Sequence, residues 1–164
     1  MRGKLLLLGV VPMVFLICLS LYSIKTANGL QEKLNQAYTV RAQLITKVGQ
    51  MNGDIHALGR WLWGAYVLMG EAEKRQLFIN NAKEALTDFE KSMEAYLKLP
   101  RSEKAMAEFK NIESLWPKIK AGSLEIITNL EKNNTEANEV AKKVMINSVV
   151  PYLVPATNSF NQLN

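Results

Sequence analysis

The single histidine, His56, stands one helical turn before Arg60, and Trp61, Trp63 and Tyr66 follow Arg60 closely in the chain. A guanidinium can hold a carboxylate through two parallel N–H bonds, and aromatic neighbours supply apolar walls. The group therefore reads as an anion-recognising pocket. Arg60 and Trp63 form its centre, with Trp61 and Tyr66 beside them. The alternative is a surface arginine next to core tryptophans. A hydrolytic triad would rest on His56 alone, and no nucleophile elbow accompanies it. His56 is accordingly expected as an exposed or interface residue of a helix, and no catalytic residue is assigned.

The acidic residues do not cluster with histidine or cysteine. Glu71 with Glu73 and Asp88 with Glu90 read as solvated helix faces rather than metal ligands,. No metal or cofactor is expected. Cys18 is the sole cysteine and lies in an apolar block, so no intrachain disulfide can form. Ile17 precedes it where a lipid-modified cysteine needs a small residue.

Gly49, Gly53, Ala57 and Gly64 fall to one side of the segment that carries Arg60. Each glycine inside a helix costs about 1 kcal/mol relative to alanine, so a packing reason is expected. Small residues about four apart let two backbones approach closely. The expected partner of this face is the same helix of a second copy, in a two-fold dimer. The alternative is packing against the last helix of the same chain.

These residues need elements to position them. The chain has 164 residues, 48% hydrophobic and 21% charged, with a formal net charge of +5. Its basic residues are mixed with glutamates along the chain. That pattern marks a solvated helix surface and gives no nucleic-acid footprint. Residues 5–24 carry no charge, and roughly 30 Å of helix at 1.5 Å per residue matches a bilayer core,. Arg2 and Lys4 precede this run and Lys25 follows it, which places residues 1–4 in the cytoplasm,. Tyr22 suits the membrane interface, and Pro12 is tolerated in such a helix. A cleaved signal peptide is the rival reading, but no small-x-small cleavage pair lies at a suitable distance. The anchor is therefore read as uncleaved, with residues 25–164 exported.

Everything beyond the anchor reads as helix, over about 25–69, 71–98, 102–132 and 136–164. The first apolar seam runs through Leu30, Leu34, Ala37, Leu44, Val48, Met51, Ile55, Leu58, Leu62, Ala65 and Met69, with Arg41 as its one charge. That charge is expected to find a partner or to reach outward. The second seam follows Ile79, Ala82, Leu86, Phe89, Met93 and Tyr96. The third follows Ala105, Phe109, Ile112, Trp116, Ile119, Ser123, Ile126 and Leu130. The fourth and weakest follows Ala141, Met145, Val149, Tyr152, Ala156, Ser159 and Leu163. Alternating steps of three and four define helices packed at shallow angles. Gly70, Pro100 and the Asn133-Asn134-Thr135 turn separate them, with Ser102 and Asn134 or Thr135 as N-caps. Pro117, Pro151 and Pro155 should loosen their helices. The fold class is all-α: an N-terminal transmembrane helix continuing into an antiparallel up-down-up-down four-helix bundle.

The sequence resembles the periplasmic sensory module of methyl-accepting chemotaxis proteins. The likeness is carried by the basic start, the uncharged anchor leading into helix 1, and the Met51-to-Arg60 stretch. The acidic start of helix 2 at Glu71-Ala72-Glu73-Lys74-Arg75, the Asn133-to-Ala137 turn and the closing Tyr152-to-Leu163 segment extend it over the whole chain. Sensor kinases and nucleotide cyclases of the same layout use similar modules. The second membrane span, the linker and the cytoplasmic signalling coiled coil of the family are absent from these residues. Helix 4 is about 16 residues shorter than helix 1 at the same rise per residue, so a continuation back to the bilayer is expected.

The resemblance implies an inner-membrane receptor fragment, single-pass as given, with its bundle on the periplasmic side. It implies sensing without catalysis, in a homodimer, with a small anionic solute or a solute-binding protein as partner. A membrane-anchored structural or adaptor bundle without a small-molecule ligand is the competing expectation.

Overall fold

The computed structural model describes residues Arg2–Leu163, with side chains described from Met13 onward. The side chains of Arg2, Lys4 and Pro12 lie outside the described set. Helix α1 covers Arg2–Val67, α2 Ala72–Leu97 and α3 Glu103–Glu131. The last helix is built in three pieces: α4 over Thr135–Val144, a π-helical turn over Met145–Val149, and α5 over Val150–Leu163. The chain falls into two compact units, Met1–Ala42 and Gln43–Asn164.

The first unit is helix. Its described apolar side chains from Met13 to Ile24 are exposed, as is Cys18. Such a helix is long and apolar enough to cross a membrane,. Ser20 and Thr26 donate their hydroxyls to the carbonyls of Leu16 and Tyr22, at 2.8 Å and 2.9 Å. A hydroxyl in an apolar segment is satisfied in this way without any partner helix. Leu30 and Leu34 are 60% and 48% exposed, and Arg41 is also exposed. The first seam is therefore not buried along its full predicted length. A heptad pattern states which residues share a face; it does not state that anything covers them. Arg41 accordingly needs no buried partner.

The second unit is the bundle. Its core takes Val48, Met51, Ile55, Leu58, Leu62 and Ala65 from α1, with Leu44 packed against it. Met69, predicted for the same seam, is exposed because α1 ends at Val67 and the chain turns away. From α2 come Ile79, Ala82, Leu86, Phe89 and Tyr96, and from α3 Phe109, Ile112, Trp116, Ile119, Ile126 and Leu130. The last helix adds Ala141, Met145, Val149, Ala156 and Phe160. Phe160 is wholly buried although Ser159 held the predicted position; both side chains face inward. Each large apolar side chain removed from water contributes about 1.5–3 kcal/mol before entropy is counted. Phe89 stacks on Trp116 with ring centroids 3.9 Å apart, joining α2 to α3.

The connections follow from local chemistry. Gly70 has φ +100°, a conformation open to glycine without a Cβ clash,. Ser102 caps α3 by accepting from the Ala105 N–H at 3.2 Å, and Asn134 caps α4 by accepting from the Ala137 N–H at 2.8 Å,. Asn133 before it adopts φ 49°, which asparagine tolerates,. Three short connections make successive helices antiparallel.

The π turn has a sequence cause. Pro151 has no N–H to offer and its ring crowds the carbonyl four residues earlier. The turn before it widens, and the Val150 N–H bonds to the Met145 carbonyl,. Gly122 on α3 receives the widened turn: a Cβ there would lie 2.6 Å from a Val149 methyl.

Candidate functional site

Two places in the bundle bring polar side chains from different helices together. The first is a groove of about 400 Å³ between α1 and α5. Ile55, His56, Gly59 and Arg60 line it from α1, and Val150, Leu153, Val154, Thr157 and Asn158 line it from α5. The local sequence explains the shape. His56 and Arg60 are four apart and project on one helical face. Gly59 has no side chain, so a Cβ at that position would first meet Leu153, at 3.9 Å. The groove thus has an apolar floor and two nitrogen-bearing side chains on one bank. Both are exposed, so a solute can reach them.

The structure brings only Arg60 of the predicted pocket residues into this groove. Trp61 turns about 100° away around the helix and meets Phe78 edge-on, with centroids 5.1 Å apart,. Trp63 and Tyr66 form their own edge-on pair at 5.8 Å. Arg60 keeps one aromatic contact, a guanidinium placed 5.3 Å from the Trp61 ring centroid,. The aliphatic residues of α5 take the wall position that the tryptophans were expected to fill.

The small-residue face also divides. A Cβ at Gly49 or Gly53 would meet nothing within 4 Å, so that part of the face is open. Ala57 packs against the bundle's own core. Gly64 lies against Phe78 of α2, whose ring carbon sits 2.2 Å from where a Cβ would be. Its close approach is therefore made within the chain.

The second place is the end of the bundle where the α1–α2 and α3–α4 connections lie. Arg75 is 1% exposed there. Its guanidinium donates to the side-chain oxygen of Asn133 at 3.1 Å and to that of Asn138 at 2.8 Å. Asn138 in turn donates to the Tyr66 carbonyl at 3.4 Å. The Arg75 Nε–H has no partner among the described residues. Burial lowers the Arg75 pKa below the ordinary guanidinium value,. One side chain thus ties α2 to the α3–α4 turn, and through Asn138 to α1. Sequence reasoning passed over Arg75 as part of an acidic helix start. The signal was present: Arg75 lies four before Ile79 and extends the second seam, as Asn138 extends the fourth by three before Ala141.

Two carboxylates mark the faces between α2 and its neighbours. Glu90 accepts from the Lys120 ammonium at 2.6 Å and from the Trp116 indole N–H at 3.2 Å. The Lys120 hydrogen bond is the main cause holding the Glu90 carboxyl below its usual range. Asp54 is pushed the other way, by burial first and by Asp88 second.

No curated protein matches this chain. Among solved structures, a "Periplasmic sensor domain of sensor histidine kinase" is similar with a TM-score of 0.48 and 12% identity, over 76% of this chain and 85% of that one,. The model of the family described as "Four helix bundle sensory module for signal transduction" matches residues 1–152, and the chain belongs to that family.

Proposed function

We propose that this chain is the extracytoplasmic input module of a membrane-anchored receptor of the chemoreceptor type, and that it binds a small anionic solute in the groove between α1 and α5. The observation that supports this most directly is Arg60. It is an exposed guanidinium at a groove whose other lining is aliphatic (Ile55, Val150, Leu153, Val154), His56, Gly59 and the neutral polar Thr157 and Asn158, and among the described residues no carboxylate lines that groove. Such an arrangement recognises a carboxylate by charge-assisted hydrogen bonds and fixes the rest of the solute by apolar contact. The work is binding, with no bond made or broken.

The apolar stretch and Arg60 belong to one helix element, α1. In this reading α1 also anchors the protein in the inner membrane and the bundle lies in the periplasm. A second copy pairs along the open Gly49 and Gly53 positions. Occupancy of the groove changes how α1 and α5 pack, and that shift is the signal. A ligand can move such an equilibrium only by its difference in affinity for the two arrangements.

The test is isothermal titration of the full chain in detergent against a panel of small carboxylates, with Arg60→Gln in parallel. Heats that vanish in the variant support the reading. Heats equal in both proteins remove Arg60 from the site. No heat from any carboxylate favours an adaptor bundle without a ligand. For the pairing, Gly53→Cys should crosslink two chains on oxidation; a monomer throughout excludes this face.

A further inference from the structure

We propose that the π turn of the last helix has two seats, and that its step from one to the other is a two-state switch built into the bundle. Such a switch is independent of what the groove binds.

The dipeptide Val-Pro occurs twice, four residues apart, as Val150-Pro151 and Val154-Pro155. Each proline lacks an N–H and crowds the carbonyl four residues before it. The helix treats the two differently. A π turn over Met145–Val149 precedes Pro151, whereas Pro155 lies inside the α-helical segment α5. The fold therefore accepts this dipeptide in both settings. One extra residue is stored in front of Pro151, and an equivalent place for it exists one turn later, at 149–153, in front of Pro155. Insertions of this kind recur at functional sites of helices.

Moving the extra residue to the second seat leaves α4 and the end of α5 where they are. Only the residues between the seats turn, by about 100° and about 1.5 Å, so each takes the place that its successor holds now. Ser148 enters the place of Val149, and Tyr152 that of Leu153. Met145, Ala156 and Phe160, buried on either side, keep their places.

The receiving surface suits this exchange. Val149 is 1% exposed and lodges against Gly122, whereas Ser148 is exposed. The next residue of α3, Ser123, is 0% exposed, and its hydroxyl has no hydrogen-bond partner among the described residues. A wholly buried hydroxyl without a partner is uncommon and costs stability. In the second seat the Ser148 side chain arrives at Gly122 beside it, and the two hydroxyls can bond. Tyr152 and Leu153 are both half-buried, so either can serve at the margin of the core. The first seat thus has the better apolar contact, through Val149, and the second satisfies Ser123. Opposed gains in a close-packed core give two discrete arrangements rather than a continuum. The step also withdraws Tyr152 from the Lys118 ammonium, now 5.0 Å from its ring, and places that ring where Leu153 faces Gly59 of α1. A movement in the last helix thereby reaches α1.

The experiment is methyl relaxation dispersion on the full chain in detergent, with valine, leucine and isoleucine methyls labelled. Val149 should exchange on the microsecond-to-millisecond scale with a minor state of roughly 0.1–10%, while Ile79 of α2 stays flat. Pro155→Ala removes the cause of the second seat and should flatten Val149. Ser123→Ala removes the hydrogen bond of the minor state and should lower its population about fivefold or more. Exchanging two neighbours, Ser148→Val with Val149→Ser, should invert the populations, so that the Leu153 methyls appear at the shifts of the former minor state. A flat Val149 in the unaltered protein overturns the proposal. So does exchange that Pro155→Ala and Ser123→Ala both leave unchanged. Ile79 exchanging at the same rate overturns it too, since that is breathing of the whole bundle.

Discussion

The guanidinium of Arg75 donates to the side-chain oxygen of Asn138 at 2.8 Å, across 63 positions of sequence, with both residues buried. The contact is a charge held by neutral amides. Burying an uncompensated charge is costly, and this one is offset by two hydrogen bonds and nothing anionic among the described residues,.

The contact can therefore be altered from either side. Arg75→Ala should destabilise by about 2–4 kcal/mol, because a cavity opens and two amide oxygens lose their donor. Asn138→Asp turns a neutral acceptor into a charged one but removes the amide donor to the Tyr66 carbonyl, so its net effect should stay within about 1 kcal/mol of the unaltered protein,. Urea unfolding followed by tryptophan fluorescence checks both. Equal stability of Arg75→Ala and the unaltered protein would show that the end of the bundle does not depend on this contact.

Gly64 and Gly53 should respond oppositely to the same substitution. Gly64→Ala forces a methyl into the Phe78 ring and should cost about 1–3 kcal/mol,. Gly53→Ala places a methyl in open space and should gain about 0.5–1 kcal/mol in the unpaired chain through helix propensity,. The double substitution Gly64→Ala with Phe78→Ala should be less damaging than the sum of the two, as the methyl then enters vacated space. Thermal melts of the four variants read the differences.

The Trp116 indole joins α3 to Glu90 of α2, and its ring stacks on Phe89. Trp116→Phe keeps most of the stack and loses the N–H donor, with an expected cost of about 1–2 kcal/mol. Trp116→Ala removes both and should cost about 3–5 kcal/mol. A phenylalanine variant as damaged as the alanine one would mean that the hydrogen bond, not the ring, carries the contact.

Two carboxylates should shape the acid limb of stability with opposite sign. Glu90 has a folded pKa below its unfolded one. Its contribution is present above the unfolded value and is lost as pH falls through the folded value,. Asp54 has a folded pKa above its unfolded one, so it binds its proton more tightly in the folded state. Its burden is present at neutral pH and is relieved as pH falls through that raised value,. Asp54→Asn should therefore raise the neutral-pH melting temperature by on the order of 1–2 °C, and Glu90→Gln should lower it. Melting curves between neutral and acid pH show whether the gap between Asp54→Asn and the unaltered protein closes on acidification; a constant gap would exclude this titration as its cause.

Helix count, helix order and nearly all core positions were readable from residue spacing. Steps of three and four repeat through Val48 to Ala65, Ile79 to Tyr96 and Phe109 to Leu130, and each of those runs is buried save Met93, which is partly buried. The caps were readable too, because Ser102, Asn134 and Gly70 act on backbone groups only a few residues away. Periodicity is local, and so is capping, so one chain segment determines them by itself. What the spacing could not supply was the partner of each face. Leu34 and Leu58 occupy the same seam, yet one is exposed and the other buried. Trp61 stood next to Arg60 in the chain, and Leu153, 93 positions beyond Arg60, replaced it at the groove. Gly64 was readable as a close approach, while Phe78 as the side chain that uses it came only from the packing of α1 on α2. The buried arginine, Arg75, was hidden because sequence shows a charge but not the two asparagines that receive it. A site made of residues from different helices is decided by how those helices pack, and that is a property of the whole bundle.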